Sequence, residues 1–364
     1  MKLVVNKDVM LEGLQKVQSI VGSRTTLPIL YNVFMKADKE SLVLAATDLE
    51  VSVRTSVEAK VTRAGGTTLP ARRLFSIFRE LPAAEIEMDV DDKDTATIRA
   101  GSSVFKIIGI SEDEFPPLSS FQGGRQYVLE QETFRRMLAC THFAASSDES
   151  RYILNGVLLS FRGGKLTVVA TDGRRMAHFE QDVEMGKDTE GDWVVPSKAV
   201  NELLKNLGDK GTVKIHVTEN QAAFEFDNLL VITKLLEGTY PNFKQVIPAH
   251  CEERVSLERE GLLNAIRRVA LLVSDKSNSV TLSFSKNKLL ISAVSPEVGE
   301  ATESMPVKYS GKDISVSFNP EFLVDPLRAV DGDEVSMEMS DELSPGVLKT
   351  TRPFLYVLMP MRVK

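Results

Sequence analysis

Carboxylate, thiol and imidazole side chains are the groups of this sequence that could do acid–base, nucleophilic or metal chemistry. Asp48 and Asp172 each close an Ala-Thr-Asp phrase, so they could serve as the acid and the base of an enzyme whose active site lies at a domain junction. The two phrases are about 120 residues apart and hold equivalent places in a repeat. This equivalence predicts that the two carboxylates are remote from one another, which weakens the enzymatic interpretation.

The spacing of Cys, His and Asp predicts no metal site. Cys140 and His142 stand close together, but two ligands do not fill a tetrahedral zinc site. The segment that begins at Asp89 resembles the start of a calcium loop. Asp94 occupies its sixth position, where the turn needs Gly, and Ala100 occupies the twelfth, where a bidentate Glu is needed. We therefore expect neither a metal nor another cofactor.

Sequence motifs of the common catalytic and nucleotide-binding folds are missing. There is no Gly-x-Gly-x-x-Gly, no Gly-x-x-x-x-Gly-Lys-Ser/Thr and no Gly-x-Ser-x-Gly. The glycine pairs at 65–66, 123–124 and 163–164 are typical of turns or linkers, because none opens a helix with a basic residue behind it. The protein is therefore expected to be non-catalytic.

The elements that would position these side chains occur three times. Segments 31–48 and 154–172 each run from an Asn near a strand start to the Ala-Thr-Asp phrase, at about the same interval. Segment 280–295 keeps the order of elements but lacks the Asn and the Asp. Each copy closes on a similar proline phrase, at 114–117, 239–242 and 358–361. Because the period is about 120 residues, each copy is long enough to have its own hydrophobic core.

Hydrophobic periodicity predicts the same order of elements in every copy. An alternating strand precedes an amphipathic helix, paired strands, a second helix and three further strands. A proline starts each second helix, at Pro70, Pro196 and Pro320, where its missing N–H costs nothing. The predicted fold class is α+β, with two helices packed on antiparallel sheet in each of three repeated domains. The predicted domains are residues 1–122, 123–248 and 249–364.

Composition narrows the class of protein. A hydrophobic content of 43% over 364 residues excludes disorder. Nothing approaches the run of about 18 apolar residues that a membrane span requires, and residues 1–10 lack the apolar core of a signal peptide. The two cysteines are too few for a disulfide framework. These features predict a cytoplasmic protein with no membrane partner.

The three-fold repeat and four phrases, in order along the chain, together resemble the bacterial DNA sliding clamp family, the beta subunit of DNA polymerase III. The phrases are residues 22–30, 170–177, 237–241 and 356–362. The resemblance extends from Met1 to the C-terminus. It implies the DNA clamp fold, a head-to-tail homodimeric ring around duplex DNA, and no enzymatic activity. It also implies short peptide motifs as the means of binding the DNA polymerase III catalytic subunit, the clamp loader and other polymerases or repair proteins.

The distribution of charge suits a protein that encircles DNA. The chain has a net charge of -7, yet its six predicted helix segments together carry +4, which leaves -11 for the rest. If the helices face inward, the hole is mildly basic and the exterior acidic, although charges on helix faces are more commonly just solvated surface. The candidate lining residues are Arg72, Arg73, Arg79, Arg135, Arg136, Lys198, Lys205, Arg267 and Arg268.

The resemblance adds DNA-contacting positions in two loops. Arg24 matches a DNA-contacting arginine of the family, and Arg151 and Tyr152 match positions in the corresponding loop of the second repeat. The neighbours that are usually aromatic or glutamine in the family are replaced here by Ile153 and Asp148. We therefore expect a weaker contact from this second loop.

The resemblance also implies a groove for partner peptides. Met359 and Met361 flank Pro360 and would give it deformable apolar walls, although a terminal Val-Leu-Met strand could also be simple core. Arg174 stands where a His is common and Ser277 where an aromatic is common, so the peptide preference is expected to differ. The matching positions are Leu154, Thr171, Gly173, Arg174, Arg175, Met176, Pro241, Val246, Asn319, Val357, Leu358, Met359, Pro360, Met361 and Arg362.

Closure of a ring would require repeat one of one chain to meet repeat three of the other. The positions that match the family's interface are Arg73, Phe105, Leu271 and Leu272. Glu297, Glu300 and Glu303 would supply counter-charges. A repeat scaffold that binds proteins but not DNA stays open as an alternative function.

Overall fold

The structure is a computed structural model of the chain, and it describes residues 1–22, 26–82, 84–118, 121, 123–186, 189–274 and 278–362. Within these ranges, no helix has both the length and the apolar character to cross a membrane.

Local sequence explains where the helices begin. Asn6 ends the first strand, and its side chain accepts hydrogen bonds from the backbone N–H groups of Asp8 and Val9, which starts the first helix. Asn319 caps the last helix in the same way. Pro320 lies in the first turn of that helix as predicted, whereas Pro70 and Pro196 are the final residues of the strands that precede their helices. The prediction that a proline opens each second helix is thus exact only in the third repeat.

Three repeats follow one another along the chain. Repeat 1 contains β1 Lys2–Asn6, α1 Lys7–Gln18, β2 Asn32–Asp38, β3 Ser41–Thr47, β4 Val51–Glu58, β5 Lys60–Arg63, β6 Gly65–Pro70, α2 Ala71–Glu80, β7 Glu85–Val90, β8 Thr95–Ala100 and β9 Ser103–Ile108. Repeat 2 contains β10 Arg125–Glu130, α3 Gln131–Ala139, β11 Gly156–Arg162, β12 Lys165–Thr171, β13 Arg175–Asp182, β14 Gly191–Pro196, α4 Ser197–Asn206, β15 Thr212–Val217, β16 Gln221–Phe226 and β17 Leu229–Lys234. Repeat 3 contains β18 Glu253–Glu258, α5 Arg259–Val269, β19 Val280–Ser285, β20 Lys288–Ser295, β21 Gly299–Pro306, β22 Ile314–Phe318, α6 Pro320–Ala329, β23 Glu334–Met339, β24 Gly346–Lys349 and β25 Phe354–Leu358. This order confirms the predicted α+β class.

Antiparallel sheets are shared between neighbouring repeats. One eight-stranded sheet has the order β10-β15-β16-β17-β4-β3-β2-β6, and the other has the order β14-β11-β12-β13-β25-β24-β23-β18. The pairs β17–β4 and β13–β25 are the junctions at which one repeat continues the sheet of the other. A five-stranded sheet β5-β1-β7-β8-β9 and a four-stranded sheet β21-β20-β19-β22 complete the chain.

Strand registers define which residues are equivalent in the repeats. Phe34 faces Ala45 in the first repeat and Leu158 faces Val169 in the second. Ala45 and Val169 lie three residues before Asp48 and Asp172, so these are the same rung. Asn32 is therefore equivalent to Gly156, one residue away from the Asn155 that the phrase comparison aligned with it.

The chain forms two compact units, and each of them draws on more than one repeat. Unit 1 comprises residues 1–135 and 198–235, and unit 2 comprises residues 136–197 and 236–364. In the core of unit 1, the ring of Phe134 stacks on that of Phe224. Tyr356 of unit 2 is fully buried, and its ring packs against that of Phe143.

Candidate functional site

A hydrogen-bonded turn, residues 171–175, links β12 to β13 in unit 2. The Asp172 carboxylate accepts from the backbone N–H groups of Arg174 and Arg175, at 2.8 and 3.0 Å. The Thr171 hydroxyl accepts from the N–H of Gly173 and donates to the carbonyl of Arg175. Gly173 has a φ of 84°, a left-handed conformation that a residue without Cβ adopts at no steric cost. The Thr-Asp-Gly part of the phrase is therefore a turn motif.

Arg175 anchors this turn to the third repeat. Its guanidinium donates to Asp172 Oδ2 at 3.0 Å, to Asp325 Oδ2 at 2.6 Å and to the carbonyl of Phe143 at 2.8 Å. It also lies 4.5 Å over the ring of Phe322. Because two carboxylates and a carbonyl already bind it, Arg175 acts as a structural support, not as a free cation for a ligand.

The chain end crosses the 171–175 turn and continues to β22. The N–H of Met359 donates to the carbonyl of Arg174 at 2.9 Å, and that of Met361 donates to the carbonyl of Ser317 at 2.7 Å. The backbone of this segment is thus fixed. The side chains of Met359 and Met361 are 44% and 37% exposed, so they can contact a partner.

An apolar floor lies next to these methionines. Met176 and Val357 are buried in a cluster with Leu158, Val169 and Val194. Leu358 is buried as well. Val357 and Leu358 are thus buried, in keeping with the core interpretation of the terminal strand, whereas the two methionines that follow are exposed.

We call the surface formed by these residues the partner groove. Its floor consists of Met176 and Val357, and its exposed or half-buried rim consists of Leu154, Pro241, Val246, Met359, Pro360 and Met361. Thr171, Gly173, Arg174 and Arg175 contribute the turn, and Asn319 caps α6. Arg362 is exposed at the end of the described chain. Every one of these residues belongs to unit 2.

Sequence reasoning missed two residues of this region. Leu343 is exposed on the loop between β23 and β24, where the carboxylate of Asp341 accepts from the N–H groups of Leu343 and Ser344. That loop leads into Gly346, which pairs with Leu358 beside the chain end. Phe322 is the second residue, because its ring stacks on Arg175. A short acidic turn before a strand carries no signal of such a role, so Leu343 could be found only from the pairing.

Several predicted DNA contacts are already neutralised inside the chain. Arg135 is paired with Asp209, and Lys198 is paired with Asp48. Arg268 Nε donates to Glu303 Oε2 at 2.9 Å, which pairs a predicted DNA contact with a predicted interface residue. Arg79 pairs with Glu80 and Lys205 with Glu202. These cations have less charge to offer a phosphate than their residue type suggests.

Other predicted DNA contacts keep their charge. Within the described ranges, Arg73 and Arg267 are exposed without an ion pair, and Arg72 reaches only the carbonyl of Val21, at 3.4 Å. Arg72 also borders a cavity of about 830 Å³ between α1, α2 and the end of α4. Arg136 is half-buried on α3. Arg24 and Ser277 lie outside the described residues.

The predicted interface residues other than Arg73, which is on α2, lie on or near two sheet edges. Phe105 is on β9, the last strand of the five-stranded sheet, and is exposed. Glu300 and Glu303 are on β21, the edge of the four-stranded sheet, and Glu297 precedes it. Leu271 is exposed and Leu272 half-buried in the short helical segment after α5. Each edge therefore carries apolar side chains and unpaired backbone groups.

The residues considered for acid–base or metal chemistry have structural roles. Asp48 caps a turn through the N–H groups of Glu50 and Val51 and pairs with Lys198. The Cys140 thiol is buried and donates to the carbonyl of Ala329, and burial raises its pKa to about 12. Burial lowers the pKa of His142. In the part of the chain that the structure describes, no three His, Cys, Asp or Glu residues come together at metal-binding distance.

Comparison with known proteins identifies all three repeats. Residues 1–119 match the N-terminal domain of the DNA polymerase III beta subunit, residues 128–242 its central domain and residues 244–362 its C-terminal domain. The chain is 37% identical over 363 residues to the beta sliding clamp of Chlamydia trachomatis, covering 100% of this chain and 87% of that one. It is 32% identical over 368 residues to that of Escherichia coli K12, covering 100% of both.

Solved structures agree over the full length. The sliding clamp from Bartonella birtlesii, bound to griselimycin, has a TM-score of 0.95 at 31% identity, and the one from Bacillus subtilis has a TM-score of 0.95 at 28% identity. Both comparisons cover 100% of each chain. The chain therefore belongs to the DNA polymerase III beta subunit family, the DNA sliding clamps, which are non-catalytic processivity factors.

Proposed function

We propose that this DNA sliding clamp works as a ring of two copies that encircles duplex DNA and tethers the replicative polymerase. The observation that carries the proposal is a rule of strand pairing. At both junctions inside the chain, the last strand of one repeat pairs with the strand after the Ala-Thr-Asp turn of the preceding repeat: β17 with β4 and β25 with β13. The rule leaves β9 and β21 without partners, and both are sheet edges. A second copy would supply each missing strand.

The rule also predicts the register of the missing pair. Val231 faces Val53 at the first junction, and Tyr356 faces Ala177 at the second. By the hairpin registers of each repeat, the equivalent of Val231 and Tyr356 on β9 is Phe105. By the same counting, the equivalent of Val53 and Ala177 on β21 is Ala301. Phe105 of one copy would thus face Ala301 of the partner subunit.

Burial at the equivalent positions supports this pairing. Val231 and Tyr356 are 0% exposed at the junctions inside the chain, whereas Phe105 is 39% exposed at the free edge. Large apolar side chains rarely stay uncovered in such a row unless they form an interface. Val104 and Ile108 on the same strand are exposed too, as are Leu271, Val294 and Val298 near β21.

Charge supports the same register. The rung next to Phe105 would place Lys106 opposite Glu300 of the partner subunit. Both side chains are exposed, and neither forms an ion pair with any residue that the structure describes. Opposite charges on facing positions of antiparallel strands stabilise the pairing and suppress a register slip. Glu303 is a weaker candidate for this role because it already binds Arg268.

For DNA we propose contacts that are few and exchangeable. Arg72, Arg73 and Arg267 are the strongest candidates because their charge is not paired within the described chain. Arg135, Arg136, Lys198 and Arg268 would contribute less, and Arg24 stays a candidate on the resemblance alone. Weak, screened phosphate contacts let a ring slide, whereas tight contacts would hold it in place.

For proteins we propose the partner groove as the docking site. The DNA polymerase III catalytic subunit, the clamp loader and other polymerases or repair proteins would each insert a short peptide with apolar anchors beside Met359 and Met361. A fixed backbone with thioether walls supports this, because methionine side chains adapt to several partners.

We retain residues 1–122, 123–248 and 249–364 as the three repeats and place the protein in the cytoplasm, beside the chromosome.

Retention on DNA of different topology tests the ring. After loading, the wild-type clamp should co-migrate with nicked circular plasmid and be released when the plasmid is linearised, because only topological linkage depends on the absence of ends. A scaffold that binds proteins only would bind neither form. Equal retention on both forms would show ordinary DNA affinity and would overturn the ring.

The double variant Leu271→Ala, Leu272→Ala tests how the ring closes. Each leucine contributes about 1.5 to 3 kcal/mol when an interface buries it fully, so the double variant should sediment as a soluble monomer at micromolar concentration. Leu343→Ala is the matched control, since it truncates an exposed leucine on another loop, and it should stay dimeric. A double variant that remains dimeric would show that the interface lies elsewhere.

A further inference from the structure

Arg151 lies in an irregular part of the chain between α3 and β11. The segment Glu149–Leu154 is a 3-10 helix interrupted at Arg151, whose φ of -105° and ψ of 51° are not helical. Asp148 fixes the start of this segment, because its carboxylate accepts from the N–H and the hydroxyl of Ser150. The kink is thus part of an ordered backbone, and it determines where the Arg151 side chain can reach.

The guanidinium of Arg151 contacts the 171–175 turn. Its Nη1 donates to the carbonyl of Asp172 at 2.7 Å, and its Nε lies 3.7 Å from Asp148 Oδ2. A Cβ added to Gly173 would lie 2.8 Å from the same Nη1, which shows how closely the arginine approaches this turn. The hydrogen bond and the close approach of the same Nη1 atom therefore place Arg151 against the backbone of residues 172–173.

Besides the bond of Arg175 to the Phe143 carbonyl, three contacts with other segments hold the 171–175 turn. The N–H of Met359 donates to Arg174, and Arg175 pairs with Asp325. The third contact is the Arg151 hydrogen bond, a charge-assisted bond to a carbonyl. It is the contact that joins the turn to the segment with Tyr152 and Leu154. Because the Arg151 side chain is half-exposed, removing it leaves no isolated charge in the interior.

We infer that Arg151 is a positioning residue of the partner groove. It ties the 171–175 turn, which carries Arg174 and the contact to Met359, to the segment that ends at Leu154. The inference rests on the proposed role of the groove. It also gives the Arg151 guanidinium a duty different from the DNA contact that the family resemblance implies.

Peptide titration into single variants tests the inference. The probe is a short synthetic peptide with Leu and Phe anchors, and the clamp is the full chain. Arg151→Ala should weaken binding about threefold to tenfold, in keeping with the loss of one half-exposed hydrogen bond that acts through the turn. Arg151→Lys should recover part of the affinity, since an ammonium can still donate to the Asp172 carbonyl. The melting temperature and the salt dependence of DNA retention should not change, which a general loss of stability or a DNA role would not allow.

Arg254→Ala is the control for the lost charge. Arg254 is an exposed arginine on β18, the far edge of the same eight-stranded sheet, where its Nε donates to Ser336 Oγ. This variant changes the net charge by the same amount as Arg151→Ala and should bind the peptide like wild type.

A double-mutant cycle sharpens the test. Gly173→Ala puts a methyl group 2.8 Å from Arg151 Nη1 and an L residue at a φ of 84°, so it should weaken peptide binding. In the Arg151→Ala background the steric part of this penalty disappears. The two substitutions should therefore be non-additive, with a smaller loss for Gly173→Ala in the double variant.

The outcomes separate the inference from the site on which it rests. Normal peptide affinity in Arg151→Ala, or strict additivity in the cycle, would overturn the positioning role and leave the groove intact. So would a smaller salt slope on DNA with unchanged peptide binding. A wild-type protein that binds no such peptide would overturn the groove and this inference together.

Discussion

The turns at residues 47–51 and 171–175 have the same backbone hydrogen bonds but different side chains around them. In both, an Asp carboxylate accepts from the N–H groups two and three residues later, and a Thr hydroxyl accepts from the N–H two residues later. Both turns also receive the end of a strand from the next repeat: Lys234 donates to the carbonyl of Glu50 as Met359 donates to that of Arg174.

The side chains around these turns differ in every functional respect. The left-handed position is Gly173 in one and Leu49, at a φ of 78°, in the other. The last residue of each turn is the charged Arg175 or the buried Val51. The strand end brings an exposed Met359 to the 171–175 turn and an exposed Lys234 to the 47–51 turn. The same turn backbone thus occurs twice, and the side chains make one copy the proposed apolar docking site.

Removal of residues 359–364 should have the largest effect. The deletion takes away the methionine rim of the partner groove and should abolish binding of an anchor peptide, whereas the 47–51 turn has no comparable rim to replace it. The dimer and its retention on circular DNA should persist, because the proposed edges β9 and β21 are elsewhere in the chain. Peptide titration measures the loss of binding, and sedimentation shows whether the dimer persists. Peptide binding at wild-type strength would show that the chain end is not part of the binding site.

Removal of the cation that supports each turn should destabilise the protein by different amounts. The Arg175 side chain is 11% exposed and binds two carboxylates, so Arg175→Ala should cost about 2 to 4 kcal/mol of unfolding free energy. Lys198, the cation that pairs with Asp48, is 51% exposed, so Lys198→Ala should cost about 0 to 1 kcal/mol. Urea unfolding of the two variants compares them directly. Equal losses of unfolding free energy would show that the two turns do not differ in this support.

Truncation of one methionine should reduce affinity without a change in fold. Met361→Ala removes part of the groove wall and should cost about 1 to 3 kcal/mol of binding, roughly tenfold to a hundredfold in Kd. Lys234→Ala, the matched change at the end of the strand that meets the 47–51 turn, should leave peptide affinity as it is. Calorimetric titration with both variants gives the answer. A Met361→Ala protein with wild-type affinity and melting temperature would remove the chain end from the binding site.

Relief of backbone strain should give the smallest effect. Leu49 adopts a left-handed conformation that costs an L residue about 1 to 2 kcal/mol, while a Gly there loses about 0.5 to 1 kcal/mol of chain entropy on folding. Leu49→Gly should therefore raise the unfolding free energy by about 0 to 1.5 kcal/mol. Urea unfolding tests this, and a clear destabilisation would show that the Leu49 side chain contributes packing that Gly173 does not need.

Much of the fold could be predicted because local signals repeat. Helical and strand periodicity recur in each copy, so an element with a weak pattern in one copy can be predicted from the other two. The prediction is wrong where a residue type suits either of two adjacent elements. Pro70 and Pro196 end strands instead of starting helices, since a proline that lacks an N–H suits either side of that boundary. Asn155 matches Asn32 in the comparison of phrases, and only the strand register shows that Gly156 is the equivalent residue.

The candidate site was harder to predict than the fold because pairing is not visible in sequence. Nothing in the residue types distinguishes Arg268, which binds Glu303, from its neighbour Arg267, which forms no ion pair within the described ranges. The resemblance identified Val357 and Met359 alike, although one is buried and the other exposed. Leu343 was missed because its position depends on a strand pairing between residues far apart in sequence.

The shared sheets have a consequence for how such a protein can change over evolutionary time. Because β17 completes the sheet of β4 and β25 that of β13, removal of any copy cuts at least one eight-stranded sheet, and removal of the second copy cuts both. A single repeat could therefore not be lost, duplicated or exchanged as a cassette without opening a shared sheet. The three copies must diverge in place, side chain by side chain, so a new binding surface is more easily gained on an old turn than by adding a module.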